Sequence, residues 1–173
     1  MSIDQSIISE ELFIQNNTAT LFHRTREVNA ISSILKTGWQ ARHGMYGKGI
    51  YTTYILRDQF NSYMGRYGNV LVKFKYTGLD QLLCFSLDVA KQVHGDKFLL
   101  IDQLKKIAPN YKLSEEEISV LESYQSQLEK ESHSSTVAKK FTNTDTFSHL
   151  YSSHILNGIE YFGSNDGHCI LVY

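Results

Sequence analysis

Residues 159–173 read IEYFGSNDGHCILVY, two apolar runs on either side of Asn165-Asp166-Gly167. Asn, Asp and Gly tolerate the positive φ that a tight reversal needs, so this segment predicts a β-hairpin. A hairpin alone is marginal in water, and its apolar side chains need further strands or helices to cover them. Three other segments supply strand patterns. TATLFHRT, residues 18–25, reads as a strand, and LLCFS, residues 82–86, as a second, short one. In NVLVKFKY the residues Val70, Val72, Phe74 and Tyr76 alternate cleanly, the mark of a strand with one buried side. Strands thus cluster towards both ends of the sequence, with helical patterns between them. That order predicts the α+β class, with a split sheet assembled from distant segments.

The helical patterns are read from periodicity and caps. Asp4 to Gln15 reads as a short helix with Ile7, Ile8 and Leu12 on one face. Glu27 to Lys36 reads as another, with Val28, Ile31, Ile34 and Leu35 at helical spacing and Gly38 suited to the position just past its end. Asp58 to Met64 reads as helical, and Ser86 is placed to cap a helix running through Val93. Phe98 to Lys130 reads as helical and polar, and Ser114 and Glu117 form a capping box before Ile118, Leu121 and Leu128. ESHSSTVAKKFTNTD, residues 131–145, is expected to be a linker or mobile loop, and Phe147 to Leu156 a helix ending at Gly158.

A chain of 173 residues, 42% hydrophobic and 20% charged, fits one globular domain, residues 1–173. The net charge of -1 argues against a broad electrostatic grip on nucleic acid. The opening MSIDQSIISEELF lacks the basic region and apolar core of a secretory signal. No run approaches the roughly 18 apolar residues of a membrane span. Cys84 and Cys169 are far apart and have no C-x-x-C spacing, so buried thiols in a reducing cytoplasm are expected, with no zinc site. A secreted effector with a non-cleaved signal would carry the same features.

GMYGKGIYTTY, residues 44–54, crowds three glycines and three tyrosines into eleven residues. It reads as a loop feeding a short strand. A turn needs the glycines and a core strand wants the tyrosines, but holding a flat ligand against bare backbone uses both. In LFHRT, alternation puts His23 and Thr25 on one side of an extended chain. YGKGIY is followed twelve residues after Tyr51 by Tyr63, and GIEYF puts Glu160 at the start of a late strand.

At these residues the sequence resembles the catalytic domain of the diphtheria-toxin-like and poly(ADP-ribose) polymerase-like ADP-ribosyltransferases, which carry a His-Tyr-Glu set on three strands. The resemblance is strongest from Leu21 to Tyr63, weaker over EYF…ILVY, and spans about a third of the chain. It implies the family's split β-sheet fold with an NAD cleft, and NAD as substrate without a metal. It implies His23, Tyr51 and Glu160 as catalytic residues lining one cleft. It also implies an NAD site made of His23, Arg24, Thr25, Gly49, Tyr51 and Tyr63. Tyr51 and Tyr63 would stack on nicotinamide, a flat cation that gains cation–π energy between aromatic faces. His23 would bond the adenosine ribose. Thr25 and the main chain of Arg24 would hold the carboxamide. Glu160 would stabilise the oxocarbenium-like ribose, as a carboxylate does in glycoside hydrolysis.

Some positions depart from the family pattern. Arg24 follows the His where Gly is frequent, Phe60 stands where Ser is common, and Gln59 where a Lys is. Asp166 is a second carboxylate in the terminal hairpin, read as turn chemistry. The resemblance implies transfer of a single ADP-ribose to a macromolecular acceptor, protein or nucleic acid, since no helical regulatory domain precedes the first strand. A stand-alone cytoplasmic transferase fits a bacterial or phage toxin with an inhibitor protein as partner, and no membrane partner is expected. Two alternatives share the fold: an NAD-dependent RNA 2′-phosphotransferase, and an NAD- or ADP-ribose-binding module that has lost activity.

Overall fold

The alternation in NVLVKFKY builds the first sheet. In a computed structural model, residues 14–15, 18–39, 42–44, 47–53, 70–95, 99–131, 134–163 and 167–172 are described. In chain order the elements are β1 (Ile14–Gln15), β2 (Thr18–Thr25), α1 (Ala30–Thr37), β3 (Arg42–Gly44), β4 (Gly47–Thr52), β5 (Val70–Thr77), β6 (Leu82–Cys84), α2 (Leu87–His94), α3 (Leu100–Ile107), α4 (Glu115–Lys130), α5 (Ser134–Thr142), α6 (Asp145–Ser152), β7 (Gly158–Gly163) and β8 (Gly167–Val172). A single 3₁₀ turn, Leu79–Gln81, joins β5 to β6.

The strands form two small sheets, one of three strands in the order β1-β2-β5 and one of five in the order β3-β4-β8-β7-β6. The molecule is therefore mixed α and β. All pairs are antiparallel except β6 with β7. The two sheets meet at one isolated bridge. There the Phe22 N–H donates to the Thr53 carbonyl at 2.7 Å, and the Thr53 N–H to the Phe22 carbonyl at 3.0 Å.

The five-stranded sheet is apolar on both faces. Leu83 and Ile159 lie opposite each other, and with Tyr161 they pack on a helical core containing Leu100, Leu104, Leu121, Val137, Phe141 and Leu150. Leu82 and Cys84 face the other way and pack with Ala19 and Leu21 of β2, Leu79, and Val89 and Ala90 of α2. Each fully buried Leu or Phe stabilises the fold by about 1.5–3 kcal/mol over exposure. Strand β6 is an edge, but the buried Gln103 amide closes it. Gln103 Oε1 accepts from the Cys84 N–H and its Nε2 donates to the Cys84 carbonyl, both at 2.8 Å. A side chain there does the work of another strand and blunts the edge.

Five expectations change. Residues 134–145 are no linker: α5 lies there and α6 begins at Asp145, with Val137, Ala138 and Phe141 buried. Those three recur at helical spacing, and Ser135 and Thr142 are buried with them, while Thr136, Lys139 and Lys140 face water. The segment 98–130 is two helices, because 108–114, containing Pro109, interrupts it. The GMYGKGIYTTY stretch is mostly a hairpin, since β3 pairs with β4 through Gly44 opposite Gly47. Ile14 and Gln15 pair with β2 as strand and not as helix, while the rest of the Asp4–Gln15 pattern lies outside the described residues, as does Asp58–Met64. Finally, the helix expected over Glu27–Lys36 begins only at Ala30, and its apolar stripe is not its buried side: Ile31 is 56% and Leu35 83% exposed, as is Val28 before it at 85%, whereas Ala30 is buried.

Candidate functional site at the junction of the two sheets

His23 stands in β2 opposite Val72, one residue beyond the Phe22 bridge to Thr53. Its Nδ1 lies 2.7 Å from the Tyr51 carbonyl oxygen of β4. A carbonyl only accepts, so Nδ1 is the donor and the neutral ring keeps Nε2 as its acceptor. Two segments 28 residues apart in sequence thus meet at the seam of the sheets.

The indole of Trp39 covers this corner. Its ring is edge-on to His23, with centroids 5.6 Å apart and planes at 84°, and tilted over Phe74 at 4.6 Å. Phe74 faces Leu21 in the β2–β5 register, so Trp39 spans two neighbouring cross-strand rows. Gly38 makes this possible. It ends α1 with its N–H donating to the Ile34 carbonyl and adopts φ 79, ψ 176, a backbone region essentially reserved for glycine.

The register fixes which way the other candidates face. Tyr51 lies opposite Leu171, which lies opposite Ile159. Directly paired residues share a face, so the Tyr51 ring is on the helical side of the five-stranded sheet, where it packs partly buried against that core. Glu160 lies opposite Ile170, which lies opposite Thr52, and opposite Cys84 on its other flank. Glu160 is therefore on the other face, the one that packs against β2. His23 alternates with Leu21 and Ala19 of that same packed surface. The inter-sheet side thus receives the His23 ring, the Tyr51 carbonyl and the Glu160 carboxyl, while the Tyr51 ring points the other way.

Glu160 is fully buried. Its Oε2 accepts from the Ser86 N–H at 3.1 Å, and its own carbonyl accepts from the Phe85 N–H at 2.9 Å. Ser86 directly precedes α2 and makes no side-chain cap, so the carboxylate stands at a helix N-terminus, where the dipole favours negative charge. Burial, reinforced by the Glu160 charge, pushes the Cys84 thiol well above its ordinary range. Cys84 is thus held as a thiol, with its Sγ directed at the Leu82 carbonyl.

Thr25 is half-buried, and its hydroxyl oxygen accepts from the Glu27 N–H at 3.2 Å in the turn leaving β2. The main-chain groups of Phe22 point towards β4. By the two-residue period of a strand, those of Arg24 point to the same edge. Gly49 is buried in β4 opposite Arg42. Tyr63, Asp166, Phe60 and Gln59 lie outside the described residues.

Sequence reasoning missed Trp39, and named Ser86 only as the residue before a helix. The signal for Trp39 was its being the only tryptophan, set directly after a helix-ending glycine. Nothing local marks Ser86 as a partner of Glu160, which lies 74 residues away.

No protein-family model, no curated protein and no solved structure matches the chain. No group of three or more His, Cys, Asp or Glu side chains among the described residues could hold a metal ion. No helix among them is long and apolar enough to cross a membrane. Chemically, the corner offers a half-buried imidazole acceptor, an indole, a strand edge and a nearby buried carboxylate. Such a set has the donors, acceptors and aromatic faces that a hydroxylated, aromatic ligand would use.

Proposed function

We propose that the chain is an NAD-dependent mono-ADP-ribosyltransferase of the His-Tyr-Glu kind, built on that family's split sheet, which moves ADP-ribose to a macromolecular acceptor and releases nicotinamide. The observation that carries this reading is the hydrogen bond from His23 to the Tyr51 main chain at the sheet junction. It unites the two most specific motifs of the resemblance, H-x-T and GKGIY. His23 Nε2 accepts from a ribose hydroxyl, and the main chain of Arg24, aimed at the β4 edge, grips the carboxamide. Glu160 stabilises the ribosyl cation and Tyr51 contributes its main chain on this face; the Tyr51 ring lies on the opposite one, so the stacking that the resemblance implied on nicotinamide falls to Tyr63 alone. Catalysis is then mostly positioning, with one charged stabiliser. The toxin-like role, with an inhibitor protein as partner, belongs to the same proposal.

The burial of Glu160 favours a second reading, a module that binds NAD or ADP-ribose without cleaving it. One experiment separates the two. Wild type, Glu160→Gln and Asp166→Asn are compared for NAD affinity by calorimetry and for nicotinamide release. Glu160→Gln keeps an acceptor for the Ser86 N–H but removes the charge. The transferase reading expects retained NAD binding and a ~100- to 1,000-fold fall in release, the usual cost of one preorganised electrostatic group. Asp166→Asn is expected to leave release near wild type, because Asn suits the same turn. NAD binding with no release by wild type selects the binding module. Release lost in Asp166→Asn and kept in Glu160→Gln contradicts the role given to Glu160.

A further inference from the structure

We propose that Trp39 is a positioning residue that sets the orientation and tautomer of the His23 imidazole, so that Nε2 is the nitrogen presented to a ligand hydroxyl. The inference deepens the reading of the junction as an NAD site and rests on it for the ligand's identity.

The His23 ring is held by two contacts of different kinds. The bond from Nδ1 to the Tyr51 carbonyl, at 2.7 Å, fixes one nitrogen as donor. A single hydrogen bond leaves the ring able to turn about Cβ–Cγ, which brings Cδ2 to the place of Nδ1, breaks the bond to the carbonyl and so releases the tautomer it had fixed. The second contact removes that freedom. The Trp39 ring stands at 84° to the imidazole with centroids 5.6 Å apart, an edge-to-face geometry in which the positive rim of one ring meets the negative face of the other. Rotating the imidazole would break this arrangement. The indole cannot follow, because it also leans on Phe74 at 4.6 Å, and Phe74 is locked in register opposite Leu21. The chain behind it is fixed by the glycine-only backbone of Gly38. Trp39 is thus braced from two sides and acts as a wall against which His23 is set.

The consequence is specific. Neutral imidazole exists as two tautomers, and a ligand hydroxyl that must donate needs the one with a bare Nε2. With Trp39 in place, the tautomer protonated at Nδ1 predominates before any ligand arrives. Without it, the ring turns away from the Tyr51 carbonyl for part of the time, the proton is no longer held on Nδ1, and part of the population meets the ligand with the wrong tautomer or orientation.

The test compares wild type with Trp39→Phe and Trp39→Leu. Both replacements fill space with apolar atoms, but only Phe offers an aromatic ring to His23. Two quantities are measured on folded protein: the tautomer of His23 from imidazole nitrogen chemical shifts, with no ligand added, and the Kd for NAD. Wild type and Trp39→Phe are expected to show His23 protonated at Nδ1 alone. Trp39→Leu is expected to show a mixture and to bind NAD about three- to tenfold more weakly, the scale of one lost aromatic pair. A single Nδ1-protonated tautomer in Trp39→Leu overturns the inference, as does equal behaviour of the Phe and Leu variants. If wild type binds no NAD, the proposed function fails, while the ligand-free tautomer comparison still decides the role of Trp39.

Discussion

His94, outside the proposed chemistry, shows how a single buried residue can set the working range of the fold. It is almost fully buried at the end of α2, with its Nε2 3.1 Å from the Leu82 carbonyl of β6. A carbonyl acceptor requires the proton on Nε2, which leaves Nδ1 bare, buried and without a hydrogen-bond partner. Protonating Nδ1 would place a charge where nothing receives it. Burial, the largest influence, lowers the His94 pKa, Lys106 adds to this, and the Leu82 carbonyl and Asp80 oppose it. The folded protein therefore prefers neutral His94 more than the unfolded chain does. Its contribution is present above the unfolded value near 6.5 and is lost as pH falls below it. Between pH 7.5 and 5.5 the loss has an upper limit of about 1.4 kcal/mol, from one proton taken up by the unfolded chain. Urea unfolding at the two pH values checks this. His94→Gln, which keeps a donor for Leu82 and cannot titrate, is expected to lose less stability across the same interval.

At the scale of elements, α5 decides how the helical layer holds together. Phe141 is fully buried and meets Phe85, Tyr124 and Phe147 with centroids 5.4 to 5.6 Å apart, joining the segment that leaves β6 to α4, α5 and α6 around one ring. Phe141→Ala is expected to cost about 3–5 kcal/mol in denaturant unfolding, since it deletes the ring and leaves a cavity that four segments border. A cost below 1 kcal/mol would show that the ring is not central. This helix was illegible because two of its five buried residues, Ser135 and Thr142, are polar, and its Ser, Thr and Lys content reads as linker composition. The strands were easier. TATLFHRT matches β2 end to end because its β-branched and aromatic residues alternate between two packed surfaces, and the Ser114–Glu117 box is present with both of its bonds. In α1 periodicity gave the helix but the wrong buried side: Ala30 packs inward, while the larger Ile31 and Leu35 stand in solvent. The site divides in the same way. Alternation placed His23 and Thr25 together, but no local rule brings residue 23 to residue 51, and only the resemblance suggested it. Trp39 depends on the backbone turn at Gly38 and had no pattern to announce it.

For the whole molecule, the informative feature is that among the described residues two small sheets are joined by a bridge between Phe22 and Thr53, with the His23 ring and the Tyr51 carbonyl beside it. The inter-sheet face collects the His23 ring, the Tyr51 carbonyl and the Glu160 carboxyl. The opposite face of the larger sheet is committed to the helical core, into which the Tyr51 ring leans. A transferase needs the first face to admit a dinucleotide and the second to stay closed. The most direct test is to incubate wild type and His23→Ala with NAD labelled in its adenosine half, in the presence of cell lysate, and to measure released nicotinamide together with label fixed on macromolecules. The account predicts release matched by transfer in wild type, and a fall of about 10- to 100-fold in folded His23→Ala, the cost of a lost ligand hydrogen bond. Folded wild type that neither releases nicotinamide nor transfers label, or a His23→Ala variant as active as wild type, would contradict it.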